Sequence, residues 1–243
     1  MMLTMEGRLD ECLLLSYRAP ASSVQYLLPK GLELVTRDLW AFWNIVVCHI
    51  DRMRPAGMPR VFGLSYYHVA YRLLVRARTA DGQTIDGLYF VRSDADSLLV
   101  SKFGNLASDF RFHAATVEWK NQANNLIFEV RDSENGIGDA QLRIDLDAEP
   151  RLADGSCFAS FDEARAFLKY RPLGLACESN GERLKFAEVF RDESKWDEKA
   201  ISVAEARWNF FDHLKQNEVQ LELATRVAPI DYRWRLGRSE QLA

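Results

Sequence analysis

His68 and Arg72 stand four residues apart in a stretch, Tyr67 to Arg78, whose alternation puts them on one face of a strand. An imidazole that titrates near neutrality beside a guanidinium fork can bind a carboxylate, and the same imidazole can serve as a general base. A hydrogen-bonded core or surface histidine is the competing reading, because alternation does not tell a lumen from solvent. Ser108 as a nucleophile would need a base within reach. His68 and His113 are the nearby candidates, and no spacing signature ties either to it. Cys48, His49 and Asp51 carry ligating side chains, but Cys48 and His49 project to opposite faces of a strand, so no metal site is expected. Cys12, Cys48, Cys157 and Cys177 include no C-x-x-C pair and read as reduced, mostly buried thiols. Lys102 and Lys120 read as solvent-facing, and Asp109 with Arg111 as a salt bridge on the outside of a sheet.

The elements that must position these residues are mostly strands. Glu11 to Arg18 is an apolar stretch ending at Pro20, and Ser22-x-x-Gln25 is a capping box for a short helix that Pro29 to Gly31 stops. Ala41 to Ile50 is a β-branched and aromatic strand, and the Arg52 to Gly63 segment that follows reads as a mobile loop. In Tyr67 to Arg78, Tyr67, Val69, Tyr71, Leu73, Val75 and Ala77 form a core face, and the face with His68 and Arg72 is polar. Asp81-Gly82 turns the chain into a strand from Ile85 to Arg92. Ser93 to Phe103 has the pattern of a short helix with Gly104 as its stop, and a strand from Asp109 to Lys120 follows. Asn125 to Arg131 and Ala140 to Leu146 alternate as strands. Ser160-x-x-Glu163 opens a helix, and Arg183 to Phe190, Val219 to Thr225 and Tyr232 to Leu236 return to strand.

No repeat, low-complexity tract or linker divides the chain, so a single domain over residues 1–243 built on one curved or barrel-like sheet is expected. Apolar residues make up 48% and charged residues 27% of the 243, and the net charge is −4. Disorder is excluded, and binding to nucleic acid by bulk electrostatics is not expected. No apolar run approaches the roughly 20 residues of a membrane helix, and residues 1 to 8 lack the pattern of a signal peptide. A cytoplasmic protein without membrane contact is the expectation.

Tyr17-Arg18-Ala19-Pro20 followed by Leu27-Leu28-Pro29-Lys30-Gly31-Leu32-Glu33-Leu34 resembles a segment of acetoacetate decarboxylase-like proteins. Gly87-Leu88-Tyr89-Phe90, Ser93-Asp94-Ala95-Asp96 and Phe103-Gly104-Asn105-Leu106 resemble a block of their uncharacterised YqjF-like branch. Phe167 to Arg171, Trp196, Ala204-Glu205-Ala206 and Tyr232-Arg233-Trp234 are similar to that branch in order and spacing. The resemblance implies a mainly β (α+β) fold, an antiparallel cone-shaped β-barrel with a few short helices and a central small-molecule cavity. It also implies that the protein could assemble as a homo-oligomer.

The family's Schiff-base chemistry needs an adjacent pair of lysines, one lowering the pKa of the other. The matching positions are Ala107 and Ser108, and no Lys-Lys pair occurs anywhere in the chain. The family's cavity carboxylate aligns with His68 and its substrate-binding arginine with Asp10. Acetoacetate decarboxylation is therefore not expected. The resemblance places His68, Arg72, Asn105 and Ser108 around the cavity, as binding groups for a small anionic or carbonyl-containing molecule, with no cofactor. Three roles follow: a binder or sensor, a lyase, hydratase or isomerase with His68 as acid/base, and, more distantly, a partner-binding module using Arg52 to Arg60.

Overall fold

The computed structural model describes residues 3–79, 82–178 and 183–241. In chain order they form β1 (Leu3–Pro20), α1 (Ala21–Val24), β2 (Leu32–Leu34), β3 (Trp40–Pro55), β4 (Leu64–Arg78), β5 (Thr84–Ala95), α2 (Leu98–Ser108), β6 (Phe112–Gln122), β7 (Asn125–Asp132), β8 (Ala140–Asp145), α3 (Phe161–Leu168), β9 (Leu173–Cys177), β10 (Arg183–Arg191), β11 (Glu198–Ala200), β12 (Ser202–Trp208), α4 (Asn209–His213), β13 (Gln220–Val227) and β14 (Ile230–Gln241). The fold is mainly β, as the alternation and the resemblance predict.

β1 pairs with β3, β3 with β4, β4 with β5, β5 with β9, β9 with β10, β10 with β14, and β14 returns to β1. The pairings thus close into a ring and leave no edge between these strands. The sheet is mixed rather than wholly antiparallel, because β5 runs parallel to both β9 and β6. Each of those parallel neighbours is reached through a long connection, and the one to β6 carries α2.

Ring closure gives β1, β3 and β4 two buried faces. Leu13, Leu15, Trp43, Ile45, Val69 and Tyr71 point outward into a core shared with Leu126, Phe128, Leu142 and Trp208 of the β6–β7–β8–β12 layer and with Phe210 of α4. Polar atoms there are mostly matched: Trp43 Nε1 donates to Gln216 at 2.9 Å and Trp208 Nε1 to the Tyr17 hydroxyl at 2.7 Å. Cys12, Leu14, Val46, Cys48, Ala70 and Phe90 point the other way, into the ring. The face of β4 expected to be polar is therefore a second interior from Tyr66 to Leu74, and it reaches solvent at its ends, at Leu64 and at Arg76 and Arg78.

Phe42, Leu74 and Leu88 close one end of the ring against Phe158, Ala164 and Leu168 on and before α3. Ser160 caps that helix, its Oγ accepting from Glu163 N at 3.2 Å. The other end lies under α2, where a local rule fails. β5 continues through Ala95, Ser97 caps the helix, and the helix passes through Gly104 to end at Asp109, at φ +54°. Gly104 is an approach site rather than a stop, since a Cβ there would sit 2.7 Å from the Phe112 ring. Arg111 is also left-handed, at φ +53°, so β6 begins only at Phe112, and Asp109 pairs with Lys185 instead of Arg111. The Ser22 capping box is not formed; Pro20 holds the cap position of α1, and Ser23 Oγ donates to its carbonyl at 2.8 Å. Arg52 to Gly63 is partly strand, and Arg54 ties it to Glu6 at 2.6 Å.

Candidate functional site in the barrel lumen

The ring encloses a cavity of about 40 Å³, and both His68 and Arg72 line it. That space holds about three water-sized groups. Asn44, two residues before Val46 on β3, lies opposite Arg72 in the β3–β4 register. Its side-chain oxygen accepts from Arg72, and its carbonyl takes a second, longer contact of 3.5 Å from Arg72 Nε. The guanidinium also lies 5.5 Å from the ring centres of Phe90 and Tyr170. Arg191 also lines the space, 4.6 Å from the Tyr170 ring centre and 3.4 Å from that of Trp196.

The charges are unbalanced. Arg18, Arg72 and Arg92 are all about 95% buried. Arg18 pairs with Glu222, and Arg92 with Asp94 and Asp132. Arg72 has no carboxylate partner among the described residues; its hydrogen bonds go to neutral groups. Burial lowers its pKa, and the neighbouring Tyr170 and the Cys12 and Cys48 thiols oppose that shift. A buried cation without a counter-ion is costly, so a site of this kind gains most from an anion.

His68 is 98% buried, and its Nε2 has no hydrogen-bond partner. The Tyr232 hydroxyl in the same lining is likewise unpaired. Burial first, and then the Arg72 charge, push the imidazole pKa down to about 3, so the empty site holds a neutral ring. Burial raises the Cys12 thiol to about 12 and the Cys48 thiol well above its ordinary value, which leaves both protonated and unreactive at neutral pH.

Asn105 and Ser108 do not join this pair. Asn105 clamps the start of β6, donating to the Phe112 carbonyl at 2.7 Å and accepting from the Phe112 amide at 2.6 Å, and it borders an outer cleft with Asp109 and His113. Ser108 Oγ donates to the Gly104 carbonyl at 2.7 Å and faces a separate pocket beneath α2. Lys102 is exposed, Lys120 is exposed and paired with Glu118, and no lysine among the described residues lines the lumen. His49 points outward to Asp10 at 3.7 Å while Cys48 points inward. Asn44, Tyr170, Arg191 and Tyr232 went unnoticed as site residues. Alternation from Val46 and from Trp234 could have found Asn44 and Tyr232, whereas Tyr170 sits in a connection without periodicity and Arg191 one residue past the expected strand end.

A family model described as "Uncharacterized conserved protein (COG2071)", DUF2071, matches residues 6–218. No curated protein matches the chain in sequence. Among solved structures, acetoacetate decarboxylase from Legionella pneumophila is 12% identical with a TM-score of 0.62, covering 98% of this chain and 87% of its own. An acetoacetate decarboxylase-like enzyme from Sphingomonas wittichii RW1 is 12% identical with a TM-score of 0.58, covering 99% and 92%. The enduracididine biosynthesis enzyme MppR complexed with pyruvate is 10% identical with a TM-score of 0.58, covering 100% and 91%. At these identities the likeness is one of fold.

Proposed function

From a chain that belongs to the uncharacterised DUF2071 family and has the acetoacetate decarboxylase-like fold, we propose a protein that binds a small organic anion or carbonyl compound in the barrel lumen. The observation that carries this is Arg72, a buried guanidinium without a carboxylate, in a cavity that also holds the unpaired His68 Nε2 and Tyr232 hydroxyl. A carboxylate would neutralise Arg72, and its second oxygen or an adjacent carbonyl would accept from a neutral donor in the lining. The pyruvate bound to MppR is consistent with ligands of this size in this fold. A single cytoplasmic domain completes the reading; no helix among the described residues is long and apolar enough to cross a membrane.

The second reading keeps the site and adds chemistry, with His68 as acid/base in a lyase, hydratase or isomerase without a Schiff base. Its support is the position of His68 beside Arg72. The neutral imidazole favours binding over proton donation near pH 7.

Thermal unfolding with acetate, propanoate and pyruvate tests the binding reading. Ligand at about 100 times its Kd stabilises a one-site protein by about 2.7 kcal/mol, and that shift should vanish in Arg72→Met. Equal shifts in the two proteins, or none in either, would overturn it. Incubation with short keto acids and borohydride should leave no lysine adduct by intact mass, whereas a stoichiometric adduct on Lys102 or Lys120 would restore Schiff-base chemistry.

A further inference from the structure

Beneath α2 lies a second chamber of about 190 Å³, walled chiefly by Met5, Met53, Tyr66, Val100, Phe112 and Trp234. Its lining includes no charged side chain, whereas Arg72 and Arg191 both line the first space. The two spaces share a wall. Trp234 borders both, and the His68 ring lies 5.1 Å from Phe112, 6.4 Å from Tyr66 and 6.5 Å from Trp234, centre to centre. The imidazole, which lines the first space, thus packs among three rings that line the second.

One strand sets the geometry. Leu64, Tyr66, His68 and Arg72 occupy the same face of β4, so the apolar chamber, the partition and the cation follow one another along the barrel. Arg72 to Tyr66 spans six residues, about 20 Å of strand. Beyond Tyr66 the chamber is rimmed by Leu64 and Leu99, which are 42% and 53% exposed. An apolar rim of this kind admits aliphatic groups more readily than free anions.

The geometry points to a two-ended ligand, an aliphatic carboxylic acid whose carboxylate rests on Arg72 and whose chain passes His68 into the chamber under α2. This rests on the reading of Arg72 as the anion site and adds the class of molecule. A short acid would leave the chamber unused, and an uncharged hydrocarbon would leave Arg72 unpaired. Each methylene buried in the chamber tightens binding by about four-fold.

Calorimetry with butanoate, hexanoate and octanoate at pH 7 decides the matter, using the wild type, Arg72→Met, and Val100→Trp to fill the chamber. Affinity should rise about 250-fold from butanoate to octanoate in the wild type, four methylenes at about four-fold each. In Val100→Trp, octanoate should fall to the level of butanoate while butanoate is unchanged. Leu99→Trp, at the half-exposed rim, should weaken octanoate alone and serves if Val100→Trp fails to fold. Butanoate and octanoate binding equally, or octanoate indifferent to the tryptophan, would overturn the two-ended ligand and leave the anion site standing. Octanoate binding undiminished in Arg72→Met, or no acid binding the wild type, would overturn the anion site and this inference with it.

Discussion

Arg92 and Arg72 lie on neighbouring strands of the same barrel and are buried to the same degree, yet their surroundings differ. Arg92 Nε is 2.9 Å from Asp94, and one of its terminal nitrogens is 2.6 Å from Asp94 and 2.8 Å from Asp132. Against the pull of burial, the hydrogen bond and charge of Asp94 and the charge of Asp132 raise its pKa. Arg72 meets an amide, two aromatic rings and an empty volume, and its pKa falls. A guanidinium whose anions belong to the chain serves the structure. One with no anion from the chain is costly to bury, and it is this cost that supports the proposed role of Arg72.

Mutation should expose the contrast. Arg92→Met leaves Asp94 and Asp132 buried without their cation and should destabilise the fold by about 3–5 kcal/mol, read as a lower urea midpoint at constant slope. The next effect belongs to His68. Its folded pKa of about 3 lies below the ordinary 6.5, so the unfolded chain binds the extra proton between those values. Stability conferred by the neutral ring is full above pH 6.5 and is lost as pH falls towards 3, by at most about 1.4 kcal/mol per pH unit. Wild type should therefore lose stability relative to His68→Phe with acidification, and parallel curves would show that the lumen does not hold the ring neutral. Arg72→Met should be the smallest change, within about 1 kcal/mol of wild type, because the lost contact to Asn44 is offset by relief of an uncompensated charge. Equal losses in Arg72→Met and Arg92→Met would erase the distinction.

Strands were legible wherever one face is core and the chain alternates, which is why β4, β7 and β8 agree closely with expectation. Their surroundings were not. The His68 face of β4 reads as polar because three of its residues, Arg72, Arg76 and Arg78, are arginines. It is interior because β9, β10 and β14, far along the chain, complete the ring, and a local pattern carries no record of that. Gly104 shows the same limit from the other side: glycine read as a helix stop is instead where Phe112 packs against the helix. That one displacement moved the end of α2 and turned Asn105 and Ser108 to backbone bonds outside the lumen. The placing of His68 and Arg72 at a cavity came from family resemblance, and the lack of a partner for Arg72 could be known only with every carboxylate in position.

The seam of the barrel joins Leu3 to Leu236 and Leu9 to Ile230. Contacts so far apart in sequence form slowly, after more local hairpins such as β7–β8. Until β14 docks, the lumen lacks a stave and two of its own lining residues, Tyr232 and Trp234. The lumen is therefore complete only at the close of folding. An acid held across the lumen would act like a hoop around the finished cask, slowing the opening of the seam without hastening its assembly.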